Sequence, residues 1–385
     1  MASSRPLEGV VVVEFGTSVA APFAGLILAD LGARVIKVEN PKGGDYARDW
    51  GPPSWKGTAS SFVSLNRGKE GMTADFSDPS DLAALRALIL DQADAVIQNL
   101  RPGILERFGL EPKQLRAEKP ELIWCDIGAF GAKGPLARKP GYDPLVQASS
   151  GIMSVTGEDG RPPVRVGVSI IDMGSGMWAV IGLLAALIAR ARNGAGRHVS
   201  TSLYETGLAW MTIPLAGYAA EGDVRRPYGS GTAEIVPYQA FETANGWHMI
   251  AAGNDNLFRK LCAVLKLDEL PRDAAFTTNG ARVRNRERLI PIIQDAVRHF
   301  TPEDLSARLD EVGVPNAPLL AVDQVAEHAQ TRALEMTVTC DGDELPLVGV
   351  PLAFDGERPR SRRRAPALGE HDAALKELKG DQVAD

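Results

Sequence analysis

One carboxylate in this sequence, Asp172, stands among residues that offer it little polar company. It lies in Ile170–Leu187, IIDMGSGMWAVIGLLAAL, between a β-branched apolar run and a Gly-Ser-Gly turn. Behind it, Met177–Leu187 reads as a helix with almost no polar surface. A charged group in such a place is paired, caps the helix, or does chemistry. As an N-cap, Asp172 would accept amide hydrogen bonds from Gly174 or Ser175. As a strand-end acid it would have no special role. The third reading is a carboxylate held ionised at the positive end of a buried helix and poised as a nucleophile, with glycines leaving room for a bulky acyl group. The residues alone leave all three open.

Other chemistries find less support. Glu39 ends the second expected strand where a ribose-binding acid would sit, but the preceding turn, FGTSVAAPFAG, has no G-x-G-x-x-G. The first βαβ unit therefore predicts a Rossmann-like core without a nicotinamide cofactor. Five histidines form no HExxH or similar cluster, and Cys125, Cys262 and Cys340 lie far apart, so no metal is expected. The cysteine usage and the N-terminal MASSRPLEGV, with no apolar core before the first strand, set the expectation of a cytoplasmic protein. A net charge of −7 disfavours nucleic acid as a partner, and the one basic cluster, Arg358–Arg364, reads as a solvated loop. The longest apolar run, Met177–Ile188, is too short for a bilayer and predicts a buried core helix rather than a membrane protein.

The elements that must position Asp172 follow from periodicity. Strands are predicted at Val10–Glu14, Val35–Glu39, Ala95–Gln98 and Leu122–Ile127, with helices at Ala21–Leu31 and Asp81–Gln92. Strands separated by helices predict a parallel sheet covered on both faces. Met177–Ala191 is a long helix leaving that sheet, and Arg225–Tyr238 is a Gly-, Pro- and Tyr-rich loop. An α+β region follows, with a strand at Trp247–Ala252 and helices at Asn256–Leu265 and Arg286–His299, where Pro291 leaves the last helix's start open. Val314–Pro318, VPNAP, reads as a return linker, and the tail after Leu347 as short strands and Pro-rich loop. At 385 residues, 44% of them hydrophobic, the chain suffices for two or three domains.

Gly141–Glu205, GYDPLVQASSGIMSVTGEDGRPPVRVGVSIIDMGSGMWAVIGLLAALIARARNGAGRHVSTSLYE, resembles the signature region of the class III CoA-transferases, a family that includes formyl-CoA transferase, carnitine CoA-transferase and alpha-methylacyl-CoA racemase. The resemblance runs on through PLEGVVVVEFG (Pro6–Gly16), LGARVIKVENPKGGD (Leu31–Asp45), LNRGKEGMTADF (Leu65–Phe76) and NLRPGILERFGL (Asn99–Leu110). GAFGAKGP (Gly128–Pro135), VPNAPLLAVDQV (Val314–Val325) and APALGEH (Ala365–His371) continue it. It implies that Asp172 is the catalytic nucleophile. It also implies a large Rossmann-like CoA-binding domain over residues 1–200 and 325–385, a small α+β domain over 225–320, and linkers at 201–224 and 321–324. Similar proteins form homodimers whose chains thread through each other, and the stretches Arg192–Arg226 and Val314–Ala333 would leave room for that.

Where the racemases carry a second base about thirty residues before the aspartate, this sequence has Tyr142, as transferases do. A phenol with a pKa near about 10 is a poor partner for reversible alpha-proton removal. The resemblance therefore favours a transferase with acyl-CoA donor and carboxylate acceptor over a racemase or an inert CoA-binding protein, with coenzyme A arriving as substrate thioester. Gly229, Ser230 and Gly231 resemble the family's glycine loop, in shorter form. Asn99, Leu100, Arg107, Asp75 and Phe76 match CoA-contacting positions. Two departures stand out: Asn40 replaces the family's adenine-stacking arginine, and Val19 replaces a glutamine of formyl-CoA transferase. Gly229–Phe241 resembles enzymes acting on short dicarboxylates more than the oxalate enzymes, with succinyl-CoA as expected donor. Arg165, Arg225 and Arg226 are candidates for a distal carboxylate.

Overall fold

Six short β-rich segments of the N-terminal half pair into one all-parallel sheet in the computed structural model, which describes residues 5–380. The first four and last five residues of the expected large domain lie outside the described residues. The strands are β1 (Val11–Phe15), β2 (Arg34–Glu39), β3 (Glu70–Thr73), β4 (Ala95–Gln98), β5 (Ile123–Gly128) and β6 (His198–Ser202), side by side in the order β3-β2-β1-β4-β5-β6. Central strands covered on both faces need continuous apolar runs. Val12, Val13, Val96, Ile97 and Trp124 are all fully buried. The strand β3 was not foreseen, because EGMT carries only one apolar side chain. The C-terminal tail borders this edge strand: the Gly71 amide donates to His371 Nδ1 at 3.2 Å, and the His371 amide donates back to the Gly71 carbonyl at 2.8 Å. A covered edge is protected from pairing with other chains.

Helices α1 (Ala20–Asp30) and α2 (Pro79–Asp91) match the predicted segments within two residues. The helix around Asp172 differs. The chain enters α3 (Asp143–Ser149) and then α4 (Ile170–Asn193), so the Gly-Ser-Gly read as a turn is helical and buried. Its glycines serve close packing. A Cβ on Gly176 would lie 2.7 Å from the Ala20 carbonyl oxygen of α1, and one on Gly174 would lie 2.9 Å from Thr206 Cγ2. Thr206 belongs to α5 (Leu203–Trp210), which together with the helix Thr212–Glu221 makes the stretch 201–224, expected as a linker, largely helical. The helix α4 is also longer than the apolar run. It extends to Asn193 and ends on Gly194 in a left-handed conformation, φ +74°. By length and mean hydropathy, 1.8, it qualifies as a membrane span. One face, through Ile171, Ala179, Val180, Leu183 and Ala186, is nonetheless buried, and the helix packs against α1, β5 and β6.

The described chain divides into two compact units. The first holds the parallel sheet and comprises the residues up to Gly151, Val166–Thr212, and those from Arg332 onward, including the C-terminal helix Asp372–Gly380 that packs on α2. The second comprises Ile152–Arg165 and Ile213–Thr331. Its sheet is antiparallel: Tyr238–Glu242, Trp247–Ala251 and Asn316–Pro318, with the second strand in the middle. Val314–Pro318, expected as a return linker, thus supplies an edge strand, where prolines are tolerated because one side makes no ladder bonds. Around it pack Asp255–Val264, Arg286–Val297 and Pro302–Glu311, with Pro291 inside the second of these helices. Phe241, Phe258 and Phe276 form its core with buried Arg282, whose guanidinium bonds the Val236 and Phe276 carbonyls and Asp255. The fold is mixed α/β.

Candidate active site

A cavity of about 970 Å³ opens in the first unit at the carboxyl ends of β1, β4, β5 and β6. The strand order turns back between β1 and β4, where open parallel sheets form a crevice for ligands. The loop Thr17–Ala20 lines the cavity and is held firmly from the protein side. Thr17 donates its amide to Asn99 Oδ1 and accepts from Asn99 Nδ2, both at 2.9 Å. Ser18, in a left-handed conformation at φ +66°, donates its amide to Asp45 at 2.9 Å. Lys37 Nζ donates to the Gly16 carbonyl at 2.6 Å. Beneath lies a fully buried ionic cluster, with Lys37 3.0 Å from Asp45 and 3.3 Å from Glu14, and Lys69 2.7 Å from Glu14. Burial and the neighbouring Lys37 outweigh Glu14 and bring Lys69 down to about 8. At the start of α1, Val19 offers no side-chain cap, so the first-turn amides at Ala20 and Ala21 have no side-chain acceptor among the described residues.

Asp172 lines the same cavity from the first turn of α4. Its carboxylate has no hydrogen-bond partner among the described residues. Burial, and then the Asp143 carboxylate, push it up to about 7. The N-cap alternative for Asp172 is overturned, because Asp143 does that work from α3. Asp143 Oδ2 accepts from the amides of Ile171 at 2.8 Å and Asp172 at 3.2 Å. Its other oxygen accepts from Gln147 Nε2 at 2.6 Å, and Gln147 Oε1 accepts the Val166 amide at 2.8 Å. The strand-end alternative falls as well, since Asp172 is helical. The expectation of an Asp172 held ionised by the helix end meets an opposing effect. Proximity to the helix N-terminus favours the charge by about 1 kcal/mol, whereas a rise of some three pH units corresponds to about 4 kcal/mol against it. Asp143 carried no signal of its own in the sequence beyond standing next to Tyr142.

Tyr142 precedes α3, is more than half exposed, and lines the cavity with Asp172. Asn99 and Leu100 line it too, although the Asn99 amide is committed to Thr17. The other CoA candidates do not. Arg107 is exposed on the short turn Glu106–Phe108, Asp75 accepts from Ser77, and the Phe76 ring packs 6.1 Å from Phe15 and 5.2 Å from Phe108. The cations that do line the cavity are Arg101, Lys133, Arg138 and Lys139. The last three stand within seven residues just before Tyr142, a basic run visible in the sequence but not singled out there.

Gly229, Ser230 and Gly231 belong to the second unit. There the Gly229 amide donates to the Gly157 carbonyl at 2.7 Å, Ser230 Oγ accepts the Ala240 amide at 2.9 Å, and the Gly231 amide closes a turn on Tyr228. Arg225 pairs with Glu234 and Arg226 with Asp159, so neither lacks a carboxylate partner. Among the described residues no group of His, Cys, Asp and Glu is arranged to hold a metal ion.

Comparison with known proteins bears on this arrangement. The model of the family described as CoA-transferase family III matches residues 7–372. The succinate–glutarate CoA-transferase of Agrobacterium fabrum is 36% identical over 96% of this chain and 94% of its own. The acetyl-CoA:oxalate CoA-transferase of Acetobacter aceti is 35% identical over 96% of this chain and 95% of its own. The crystal structure of a CAIB/BAIF family protein from Brucella suis superimposes with a TM-score of 0.88 at 38% identity, covering 98% of this chain and all of that one.

Proposed function

The chain belongs to CoA-transferase family III, and from that premise we propose that Asp172 carries CoA from a succinyl-type thioester to a short dicarboxylate through covalent aspartyl intermediates. The observation that carries the reading is the Asp172 carboxylate, free of hydrogen-bond partners among the described residues and lining a cavity of about 970 Å³. That volume suits the acyl and pantetheine portions of a thioester.

The chemistry balances without ATP. An Asp172 oxygen attacks the thioester carbonyl, a C–O bond forms, and the C–S bond breaks with its electron pair leaving on the CoA thiolate. The thiolate then attacks the aspartyl carbonyl of the mixed anhydride, releasing the donor acid and leaving an aspartyl-CoA thioester. The acceptor carboxylate attacks that thioester, and the thiolate so released returns to the acceptor's acyl carbon, regenerating Asp172. Each tetrahedral intermediate needs hydrogen-bond donors, and the first-turn amide at Ala20, which lines the cavity, is placed to supply one. Arg101, Lys133, Arg138 and Lys139 would meet the CoA phosphates or a second carboxylate. Tyr142, which lines the same cavity, would donate a hydrogen bond from its hydroxyl to the reacting groups.

The strand order 3-2-1-4-5-6 supports a Rossmann-like description of the first unit. The glutarate-using relative favours a dicarboxylate acceptor, which Gly229–Phe241 also resembles; Arg225 and Arg226 are poor candidates for its distal group because both are already paired. The test is incubation with succinyl-CoA followed by mass spectrometry of peptides, then competition of glutarate against oxalate and acetate. A CoA adduct on Asp172, absent in Asp172→Ala, together with glutarate preferred in kcat/KM, is the expected result. An adduct elsewhere, or an Asp172→Ala enzyme keeping a tenth of the rate, overturns the nucleophile; preference for a monocarboxylate overturns the acceptor.

A further inference from the structure

We propose that Asp143 is a positioning residue of the transfer reaction, a buried carboxylate that aims Asp172 by holding its backbone and places a second negative charge beside it. The inference rests on the reading of Asp172 as nucleophile and extends it to a residue with no contact to substrate.

The geometry is that of a cap supplied from outside the helix. Ser169, at the N-cap of α4, makes no side-chain cap. Asp143 fills that role with one oxygen on two successive amides, Ile171 and Asp172. Its second oxygen is fixed by Gln147, which also takes the Val166 amide. One side-chain pair on α3 thus fixes both the segment entering α4 and its first turn, so Asp172 cannot rotate about the helix axis without breaking a buried charged hydrogen bond. Asp143 is itself buried, so its charge acts on Asp172 with little screening.

Among the described residues no other charge packed around α4 takes its place. On α1 the only ionisable group is Asp30, at the far end and paired with Arg67. On β5 and β6, Asp126 and His198 pair with each other at 2.7 Å, and Cys125 is a buried thiol pushed up to about 12. On α5, Tyr204 lies against Phe130 and Glu205 accepts from the Ser202 hydroxyl. The cavity cations Arg101, Lys133, Arg138 and Lys139 act in the opposite sense, whereas the acid Glu106, on the cavity wall, acts in the same sense as Asp143. The consequence for catalysis is one of sign. Acylation converts the Asp172 carboxylate into a neutral anhydride and moves the negative charge to the thiolate, so repulsion by Asp143 is present before attack and relieved after it. A carboxylate raised in basicity is also a stronger nucleophile once ionised.

Three variants separate the roles. Asp143→Asn removes the charge and keeps one oxygen for the α4 amides, but sets an NH2 group against Gln147 Nε2. Asp143→Asn with Gln147→Glu restores every hydrogen bond and moves the charge four residues, one turn along α3, from position 143 to position 147. Asp143→Ala removes both functions. The readouts are the pH profile of kcat/KM, kcat at the plateau, and a 13C-aspartate NMR titration of Asp172 assigned with Asp172→Asn. The wild-type inflection is expected near 7. In Asp143→Asn and in the double variant it moves at least one pH unit acidward in both kinetics and NMR. Plateau kcat falls about 100-fold in Asp143→Ala through misplacement, and the double variant recovers at least tenfold of that loss. Unshifted profiles, or an Asp143→Ala kcat within threefold of wild type, overturn the proposal. The NMR titration reports on Asp143 even if Asp172→Ala proves active, so the two failures remain distinguishable.

Discussion

At the residue scale, burial of the Asp172 carboxylate bears on stability, and the effect has a pH signature. Its folded-state value, about 7, lies above the ordinary 3.8. The folded protein therefore binds the proton more tightly than the unfolded chain, and stability declines as pH rises from about 4 to about 7 and is flat above. The ionised form costs at most about 4 kcal/mol at pH 8. Asp172→Asn, which is close in shape and uncharged, should raise the melting temperature at pH 8 by several degrees, with the gain fading toward pH 4, while abolishing transfer. Differential scanning calorimetry of both proteins across that range checks it. A pH-independent difference, or a loss at pH 8, would show that burial and Asp143 do not bear on this carboxylate as described. The sign also fits the proposed chemistry, because a group destabilised as an anion gains most from becoming a neutral anhydride.

At the element scale, α4 is fixed to α1 through Gly176. A Cβ there would lie 2.7 Å from the Ala20 carbonyl and 3.2 Å from the Ala24 amide nitrogen, both backbone atoms that cannot swing aside. Gly176→Ala gains about 1 kcal/mol in helix propensity, but separating the two helices costs about 1–3 kcal/mol. A net loss of up to about 2 kcal/mol is expected by urea denaturation. A several-fold drop in kcat should accompany it, because Ala20 belongs both to the contact and to the cavity wall. A stabilised, fully active variant would refute the coupling. Elements such as this mark the limit of what the sequence discloses. Val11–Phe15, Arg34–Glu39 and Ala95–Gln98 were legible because a parallel strand covered on both faces is mostly apolar, and a β-branched run says so even where Glu14 and Lys37 interrupt it. Gly174-Ser175-Gly176 was not, because its helical state is decided by Ala20 and Thr206, far away in the chain, and local propensity points the other way. Likewise Asp172 drew notice as a lone carboxylate ahead of an apolar helix and Tyr142 through the motif that carries it, and both line the cavity. Asp143 was overlooked because its role depends on amides twenty-eight and twenty-nine positions later. Asn99 was assigned to the CoA cleft, and its amide turned out to clamp Thr17.

At the scale of the whole molecule, the apolar side chains left uncovered argue for a second copy of the chain. On α4, Trp178, Ile181 and Ile188 are spaced three and seven residues apart along one face, and each is 43% or more exposed. The helix Thr212–Glu221 buries no residue at all although it carries Ile213, Leu215 and Tyr218. The segment from Leu319 to Gln330 is exposed at every position, including Val322 and Val325. Covering a large aliphatic or aromatic side chain contributes about 1.5–3 kcal/mol, so half a dozen of them supply on the order of 10 kcal/mol before the cost of association. A small-molecule substrate cannot cover surfaces on three separate segments, whereas a partner chain running along them can. The protein should therefore elute at twice its 41.1 kDa chain mass in light scattering, and Trp178→Glu with Ile181→Glu should reduce that mass or render the protein insoluble. The threading that the family resemblance implies adds a kinetic expectation, since linked chains would separate only by unfolding. Two differently tagged preparations mixed under native conditions should form no mixed dimer over days, and should form it readily after joint denaturation and refolding. A monomer at micromolar concentration would remove the second copy altogether. A dimer that exchanges within minutes would keep the apolar interface and discard the threading, because contact alone then accounts for the pair.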